Sequence, residues 1–337
     1  MARQFTATPA VREQVPLLVG AMGPSGGGKT FSALRLATGI QSVVGGDIYG
    51  IDTEAGRMKH YADRFKFHHV PFAAPFGSRD YLEVLRWSVD QGAKTNIVDS
   101  MSHEHAGEGG YLDTHGKEIE RMAGNDYAKR ERVKMAGWIK PAGDRQALIN
   151  GMLQLNANFV FCFRAKEKTK PKKGGGIEEM GFMPIAGEEF LFEQTINFLL
   201  LPNAGGVPTW RTEQPGEKQM IKLPEQFRAL FADSRPLDED HGRALAAWAK
   251  GGAVPQPVAP TLDPAVESAG REAASRGTDE LRAWFGGLSR PDQTAAKPLL
   301  DGTLKALAAE ADSRPSDPAD DFPGDRPMEP ANSGPEF

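Results

Sequence analysis

The sequence has a single cysteine and no long apolar run. Cys162 stands alone within the apolar segment NFVFCF, so no disulfide framework can form, and we expect a small buried side chain rather than a reactive thiol. No apolar run approaches the roughly 18–20 residues of a membrane span, and the N-terminal residues MARQFTATPAVREQ lack the apolar core of a signal peptide. We therefore expect a cytoplasmic protein without membrane contact.

A strong excess of one charge sign is also missing from most of the chain. The net charge is −5 over 337 residues, but eight acids and only two arginines lie after residue 309, so the preceding part is near neutral. That balance does not exclude a nucleic-acid partner. The repeated Pro, Asp and Gly of residues 313–337 predict a disordered acidic tail. The tail could mimic DNA, dock on a partner such as a single-strand DNA-binding protein, or serve solubility alone.

Short apolar runs alternate with helical patterns through the first 200 residues. Near-continuous apolar strands separated by helices are typical of a mostly parallel sheet that is covered on both faces, so the sequence predicts an α/β fold. The predicted strands are 15–22, 46–54, 95–100, 157–165 and 193–202, and the predicted helical segments after the first strand–helix unit are 80–92 and 117–156.

Changes in composition divide the chain into four parts. Residues 1–250 hold the alternating pattern and form the predicted core. Residues 251–263 are a proline-rich linker. Residues 264–312 are rich in alanine, with leucines and a tryptophan at helical spacing, which predicts a small helical module before the tail.

A glycine-rich segment, GPSGGGKT, joins the first predicted strand to a helix. It occupies residues 23–30 and matches G-x-x-x-x-G-K-[ST], in which backbone N–H groups and a helix N-terminus bind phosphate oxygens. Lys29 would reach the β- and γ-phosphates of a nucleotide, and Thr30 would hold Mg²⁺ through its hydroxyl. The predicted nucleotide contacts are Gly23, Pro24, Ser25, Gly26, Gly27, Gly28, Lys29, Thr30 and Phe31.

Carboxylates follow two of the other predicted strands. Asp99 ends the strand in NIVDS, where it could support a Mg²⁺ shell or simply cap the following segment. Asp52 and Glu54, in YGIDTEAGR, share one side of an extended segment, so either could point at a nucleotide and activate water. Surface carboxylates at a strand end are the alternative interpretation.

Taken together, the segments MGPSGGGKTFSALRLA, IDTEAGR, VDSMSHEHAGEGG and FRAKEKTK resemble phage-encoded RecA-like P-loop ATPases, classed with Sak-type single-strand annealing recombinases, over about residues 15–230. The resemblance implies a RecA-like core, ATP and Mg²⁺ as cofactors, single-stranded DNA as partner and a homo-oligomer, either ring or filament. A phage protein would work in the cytoplasm of its bacterial host. The resemblance further implies that Glu54 activates water, with Lys29 beside it, and that Asp99 supports the metal.

The same resemblance implies two mobile DNA-binding loops, at about residues 101–116 and 166–187. The second carries Lys166, Lys168, Lys170, Lys172 and Lys173, which could follow a phosphate backbone, while Phe182 could stack on a base. A solvated connector is the alternative. The family commonly ends the preceding strand with a polar amide that senses the γ-phosphate. Here Arg164 stands in that region and becomes the candidate sensor.

Two further clusters remain open. His103, Glu104, His105, Glu108, His115 and Glu118 match no common zinc signature, which favours a polar loop or a DNA contact over a metal site. Lys129, Arg130, Arg132 and Lys134 lie on a probable helix, where a solvated face is the default and contact with DNA or another subunit is the alternative.

We therefore expect an ATPase that binds single-stranded DNA in phage recombination and promotes annealing or strand pairing, with hydrolysis stimulated by DNA. The first alternative is a nucleotide-gated adaptor or loader that acts on replication or recombination proteins and hydrolyses ATP slowly. A small-molecule phosphotransferase is a third hypothesis, which the lysine-rich segment argues against.

Overall fold

The computed structural model describes residues 7, 9–10, 15–172, 174–232, 234–252 and 262–313. These residues fall into two compact units, one before and one after residues 253–261. The predicted linker and the predicted acidic tail lie almost entirely outside the described residues, as does Lys173.

The first unit is built on a seven-stranded sheet. Its strands are β1 Leu18–Gly23, β2 Asp47–Asp52, β3 His68–Pro71, β4 Ala93–Asp99, β5 Asn158–Pro171, β6 Ile177–Pro184 and β7 Ile196–Leu199. Six strands are parallel in the order β3-β2-β4-β5-β1-β7, and β6 pairs antiparallel with β5. The prediction of an α/β fold with a mostly parallel sheet is confirmed. β3 was not predicted, because it has only four residues and two of them are histidines.

Nine α-helices connect and follow these strands in the described part of the first unit. They are α1 Lys29–Val44, α2 Ser78–Asp90, α3 Ser102–Ala106, α4 Tyr111–Ala123, α5 Tyr127–Val133, α6 Ile139–Met152, α7 Glu188–Phe192, α8 Pro215–Met220 and α9 Glu239–Ala249. Short 3₁₀ turns lie at Arg57–Tyr61, Ala136–Trp138 and Glu225–Phe227. Among the described residues, no helix combines the length and apolarity that a membrane span requires.

Both faces of the sheet are buried, because side chains alternate between two cores along each strand. Val19 and Ala21 of β1 enter a core that α1 and α9 also line, whereas Leu18 and Met22 enter a second core lined by α2 and α6. This two-sided burial explains the near-continuous apolar runs of the central strands. Cys162 lies in the first core and is fully buried, as predicted.

Helices α1 and α9 pack with their backbones in contact. A Cβ atom on Gly39 of α1 would lie 1.9 Å from the carbonyl oxygen of Glu239, and one on Gly242 of α9 would lie 2.1 Å from the carbonyl oxygen of Leu36. Both distances are far below a van der Waals contact with atoms that cannot rotate away. The two glycines therefore allow an approach that no other residue would permit.

The second unit is helical throughout its described residues. Its helices are α10 Pro264–Ser275, α11 Thr278–Gly287, α12 Arg290–Leu299 and α13 Lys305–Asp312, with a π-helical turn at Leu300–Leu304. Ala274, Leu281, Leu304 and Ala308 form a small buried core, against which Trp284 and Leu299 pack.

Substitution of Gly39 by alanine tests the backbone contact between α1 and α9. We expect a loss of about 1–3 kcal/mol in the free energy of unfolding, because the added methyl group forces the two helices apart. Gly143→Ala is the matched control, since Gly143 is an exposed residue in α6 with no atom near its Cβ position. The control should be neutral or stabilising by about 0.5–1 kcal/mol. Equal effects of the two substitutions in chemical denaturation would contradict the close approach.

Candidate active site

The carboxyl ends of four parallel strands meet at one edge of the sheet. Gly23 of β1 lies opposite Arg164 of β5, Asp99 of β4 lies opposite Cys162, and Asp52 of β2 lies opposite Asp99. Parallel α/β sheets bind ligands outside this edge. The register therefore gathers the predicted site residues, which are separated by up to 141 positions in the chain.

A cleft of about 630 Å³ opens at this edge. Its lining residues are Ser25, Gly26, Gly28, Lys29, Thr30, Glu54, Arg57, His60, Tyr61, Asp99, Arg164, Ala165 and Ile185. Five of the nine predicted nucleotide contacts, Glu54, Asp99 and the predicted sensor Arg164 thus share one cavity. Gly23, Pro24, Gly27 and Phe31 are not among the residues that line it. Arg57, His60 and Tyr61 were missed. Arg57 lies one helical turn after Glu54, and this i,i+3 spacing is the signal that could have found it.

The glycine-rich loop, residues 23–30, has a shape that side chains would prevent. Gly28, the residue before α1, lies in the left-handed region with φ of +90°, and a Cβ on Gly23 would lie 2.3 Å from the carbonyl oxygen of Leu200. Helix α1 follows directly and has no side-chain cap at its N-terminus. The positive end of the helix dipole lies at the cleft, where it would stabilise an anion. The ring of Phe31 lies beside it, packed against Tyr61 and Phe65.

Lys29 points into the cleft, where its ammonium group donates a hydrogen bond to the carbonyl oxygen of Pro24 at 2.7 Å. Burial lowers the pKa of Lys29, and the nearby carboxylates of Asp99 and Glu54 partly offset that effect. A multiply charged anion in the cleft would favour the charged ammonium further, so the environment of Lys29 suits a phosphate ligand.

Thr30 and Asp99 form a hydrogen-bonded pair on the floor of the cleft. The hydroxyl of Thr30 donates to Asp99 Oδ2 at 2.5 Å. Burial is the main reason why the pKa of Asp99 rises from 3.8 to about 6, and the charges of Glu54 and Asp52 add to it, while the hydrogen bond from Thr30 opposes it. A hydroxyl and a carboxylate are the oxygen ligands that Mg²⁺ uses with phosphates and water, so these two residues fit the predicted metal.

Glu54 is held between two arginines. Arg164 donates to Glu54 Oε1 from Nε at 2.8 Å and from Nη2 at 2.7 Å, and Arg57 donates to Oε2 at 2.9 Å. Burial acts to raise the pKa of Glu54, but the hydrogen bonds from Arg57 and Arg164 outweigh burial and lower it. Glu54 is therefore an ionised hydrogen-bond acceptor near neutral pH.

Asp52 does not share the cleft with Glu54, although the sequence left both open. Its carboxylate accepts hydrogen bonds from the backbone N–H groups of Glu54 at 2.7 Å and Met58 at 3.0 Å, and it contacts His69 Nε2 at 3.1 Å. Asp52 therefore shapes the turn that carries Glu54 and Arg57. The choice between the two carboxylates depends on a turn that strand periodicity does not describe.

The two predicted mobile loops are mostly regular structure. Residues 101–116 contain α3 and the start of α4, and residues 166–187 contain the end of β5 and all of β6. In this hairpin Lys166, Lys168 and Lys170 pair with Met183, Gly181 and Glu178. Phe182, predicted to stack on a base, instead packs against the core of the first unit, and its N–H donates to Glu217 at 2.7 Å.

The hairpin is also less positive than its lysines alone indicated. Glu167, Glu178 and Glu179 lie on the same two strands. Within the described hairpin, Glu178 lies directly opposite Lys170, whereas Glu179 and Glu167 pair with Thr169 and Phe182. The lysine run still carries a net positive charge, but part of it is neutralised across the strands.

The histidine and glutamate cluster of residues 103–118 serves other contacts. Glu104 binds Arg145 at 2.9 Å in a buried ion pair, and His105 Nδ1 lies 2.9 Å from the same guanidinium group. His103 Nδ1 lies 2.6 Å from the hydroxyl of Thr53. Within the described ranges, no group of three or more His, Cys, Asp or Glu side chains is arranged to hold a metal ion.

Comparison of the sequence with protein-family models and with curated proteins gives no match.

Substitution of Asp99 by asparagine tests the cost of burying this carboxylate. The folded-state pKa of about 6 lies above the ordinary value of 3.8, so the native state binds the proton more tightly and loses stability as the pH rises from about 4 to about 7. In metal-free buffer Asp99→Asn should raise the free energy of unfolding by up to about 3 kcal/mol at pH 8 and by less than about 1 kcal/mol at pH 4. Denaturant unfolding at pH 4, 6 and 8 measures this difference, and a gain that does not change with pH would contradict it.

Proposed function

We propose that the protein binds and hydrolyses ATP with Mg²⁺ in the cleft at the sheet edge. The observation that carries this proposal is the hydrogen bond between Thr30 and Asp99 beside Lys29, at the N-terminus of α1. A phosphate-binding loop, a metal-binding hydroxyl and a supporting carboxylate are the parts that such a reaction needs. Glu54 lines the same cleft and supplies the carboxylate that orients the attacking water.

The cationic and anionic residues of the cleft have different proposed roles. Lys29 and the backbone N–H groups of the glycine-rich loop would bind the phosphates, and Thr30 with Asp99 would hold Mg²⁺, which would neutralise phosphate charge. Glu54 orients the attacking water, since its lowered pKa makes it a better hydrogen-bond acceptor than proton acceptor. Arg57 and Arg164 line the same cleft as Glu54, so a bound terminal phosphate would compete with Glu54 for their N–H groups.

We further propose that the protein is a RecA-like recombination ATPase of the phage Sak type. On this proposal it binds single-stranded DNA, forms a ring or filament and works in the cytoplasm of a bacterial host, where its acidic tail can bind a single-strand DNA-binding protein. The shared sequence segments, the mostly parallel sheet and the lysines of the hairpin support it. The resemblance is an analogy of fold and motif, so DNA binding requires its own test.

A nucleotide-gated adaptor or loader is the second candidate, and the ion pairs of Glu54 favour it. A glutamate paired with two arginines is a weak proton acceptor, which suits slow hydrolysis and a long-lived ATP state. Turnover that single-stranded DNA does not change, together with ATP-dependent capture of a replication or recombination protein, would select this candidate over the recombinase.

Glu54→Gln tests the proposed role of this carboxylate. We expect turnover of ATP to fall by about 10²–10⁴-fold, because the neutral amide of glutamine is a weaker hydrogen-bond acceptor than the carboxylate and cannot take a proton from the water. ATP binding should persist, because Gln removes a negative charge from beside the phosphates. Turnover is measured with and without single-stranded DNA, and binding with a fluorescent ATP analogue.

Glu213→Gln is the control for this test, since Glu213 is exposed and pairs only with Lys218 among its described contacts. A Glu54→Gln variant that hydrolyses ATP at the wild-type rate would remove Glu54 from the mechanism. Wild-type protein that binds no nucleotide would refute the proposal as a whole.

A further inference from the structure

A basic and apolar surface lies on the first unit, away from the hairpin in sequence. It is formed by residues 127–140, which comprise α5, the 3₁₀ turn Ala136–Trp138 and the start of α6, and it is called the α5 surface below. Five of its fourteen residues are cations, namely Lys129, Arg130, Arg132, Lys134 and Lys140, and Glu131 is its single acid.

The α5 surface exposes large apolar side chains to an unusual degree. Tyr127 is 77 % exposed, Met135 79 % and Ile139 75 %. Helix α5 has no buried residue at all, although it has a well-formed N-terminus in which Asp126 accepts a hydrogen bond from the N–H of Lys129 at 3.0 Å. Several large apolar side chains exposed within one short segment favour an interaction site.

Most of the cations lack a partner. Within the described part of the chain, the side chains of Lys129, Arg130 and Arg132 form no ion pair or hydrogen bond, and Lys134 lies 3.8 Å from Glu131. Lys129 and Arg132, and likewise Arg130 and Lys134, lie one helical turn apart. Like charges at this spacing destabilise a helix. An anionic partner would relieve the repulsion.

The backbone beneath these side chains is anchored. The ring of Trp138 stacks on His115 with a centroid distance of 3.5 Å and lies 5.1 Å from the ring of Tyr111. His115 Nε2 also lies 3.0 Å from the carbonyl oxygen of Lys134. The anchored backbone of the α5 surface reduces the backbone entropy that is lost on binding.

The series of stacked rings continues from Trp138 and Tyr111 to His105. Tyr111 stacks on His105 with a centroid distance of 5.8 Å and an interplanar angle of 13°. Burial lowers the pKa of His105, and the positive charges of Arg145 and Lys168 add to that effect. Partly exposed aromatic rings thus extend from Trp138 of the α5 surface to His105.

We propose that the α5 surface is the main binding site for single-stranded nucleic acid, with phosphates on its unpaired cations and bases on Tyr127 and the neighbouring apolar side chains. This inference rests on the proposed binding of single-stranded DNA and moves its principal contact from the hairpin to the α5 surface. Single strands offer both a regular line of negative charge and exposed base faces, and proteins bind them through basic grooves with aromatic platforms.

An acidic protein surface matches only half of these features. It would neutralise the cations but would not use an exposed Tyr127 as a stacking surface. A purely apolar partner, such as the face of another subunit, would bury Met135 and Ile139 but leave Lys129, Arg130 and Arg132 unpaired in an interface, which is costly. Single-stranded nucleic acid provides negative charges for the cations and base faces for the exposed apolar side chains.

Binding of a fluorescent oligo-dT to the full-length protein tests the inference. The first variant replaces Lys129, Arg130, Arg132 and Lys134 by glutamine, and should weaken binding about 10-fold or more and reduce the log–log salt slope by up to about 3. The matched control replaces four exposed cations elsewhere on the first unit, Arg211, Lys218, Arg228 and Arg243, by glutamine. It should bind within about twofold of the wild type. Tyr127→Ala should weaken binding about 5-fold or more, and Tyr127→Phe should preserve it.

A hairpin variant with Lys166, Lys168, Lys170 and Lys172 replaced by glutamine separates the two sites. Loss of binding in this variant alone, with the α5 variant like the wild type, would overturn the inference and leave the proposed function standing. An α5 variant that binds DNA normally but no longer self-associates in sedimentation would overturn it by assigning the surface to contacts between copies. Wild-type protein that binds ATP but no single-stranded DNA would refute both the inference and the recombinase proposal. Thermal melts and binding of the fluorescent ATP analogue show that each variant is folded.

Discussion

The site depends on the parallel register of β1, β2, β4 and β5. Because these strands run in one direction and end at one level, the glycine-rich loop, the Glu54 turn, Asp99 and Arg164 face a single cleft. A parallel sheet must be covered by helices on both faces, so its only open borders are its edges and strand ends. The candidate site lies at the carboxyl border, where the turns that follow the strands carry its polar side chains.

The two carboxylates of the cleft have pKa values that are shifted in opposite directions. Asp99 is buried with a hydroxyl as partner, and its pKa is raised, whereas Glu54 is held by two guanidinium groups, and its pKa is lowered. A cation would stabilise the ionised form of Asp99, while Glu54 already has its positive partners. Pairs of acids with opposite shifts in one cleft are typical of sites with a division of roles.

The sequence predicted the local features of this arrangement and missed those that depend on distant contacts. Strand β1, the glycine-rich loop and α1 follow from adjacent residues, and so do Asp99 and Glu54 at strand ends. The hydrogen bond from Arg164 to Glu54 joins residues that are 110 positions apart, so no local sequence pattern predicts it. The hairpin was missed because its lysines and glycines resemble a loop, while its strand pairing depends on Ile177–Pro184 returning along β5.

The glycine contact between α1 and α9 couples the positions of the two helices. Helix α1 begins at the last residues of the glycine-rich loop, and α9 is the final helix before the residues that lead to the second unit. With backbone against backbone at Gly39 and Gly242, there is no flexible side chain between the helices to absorb a displacement. A shift of α1 would therefore displace α9 with it as one rigid pair, and the glycine-rich loop lies at the N-terminal end of α1 in that pair.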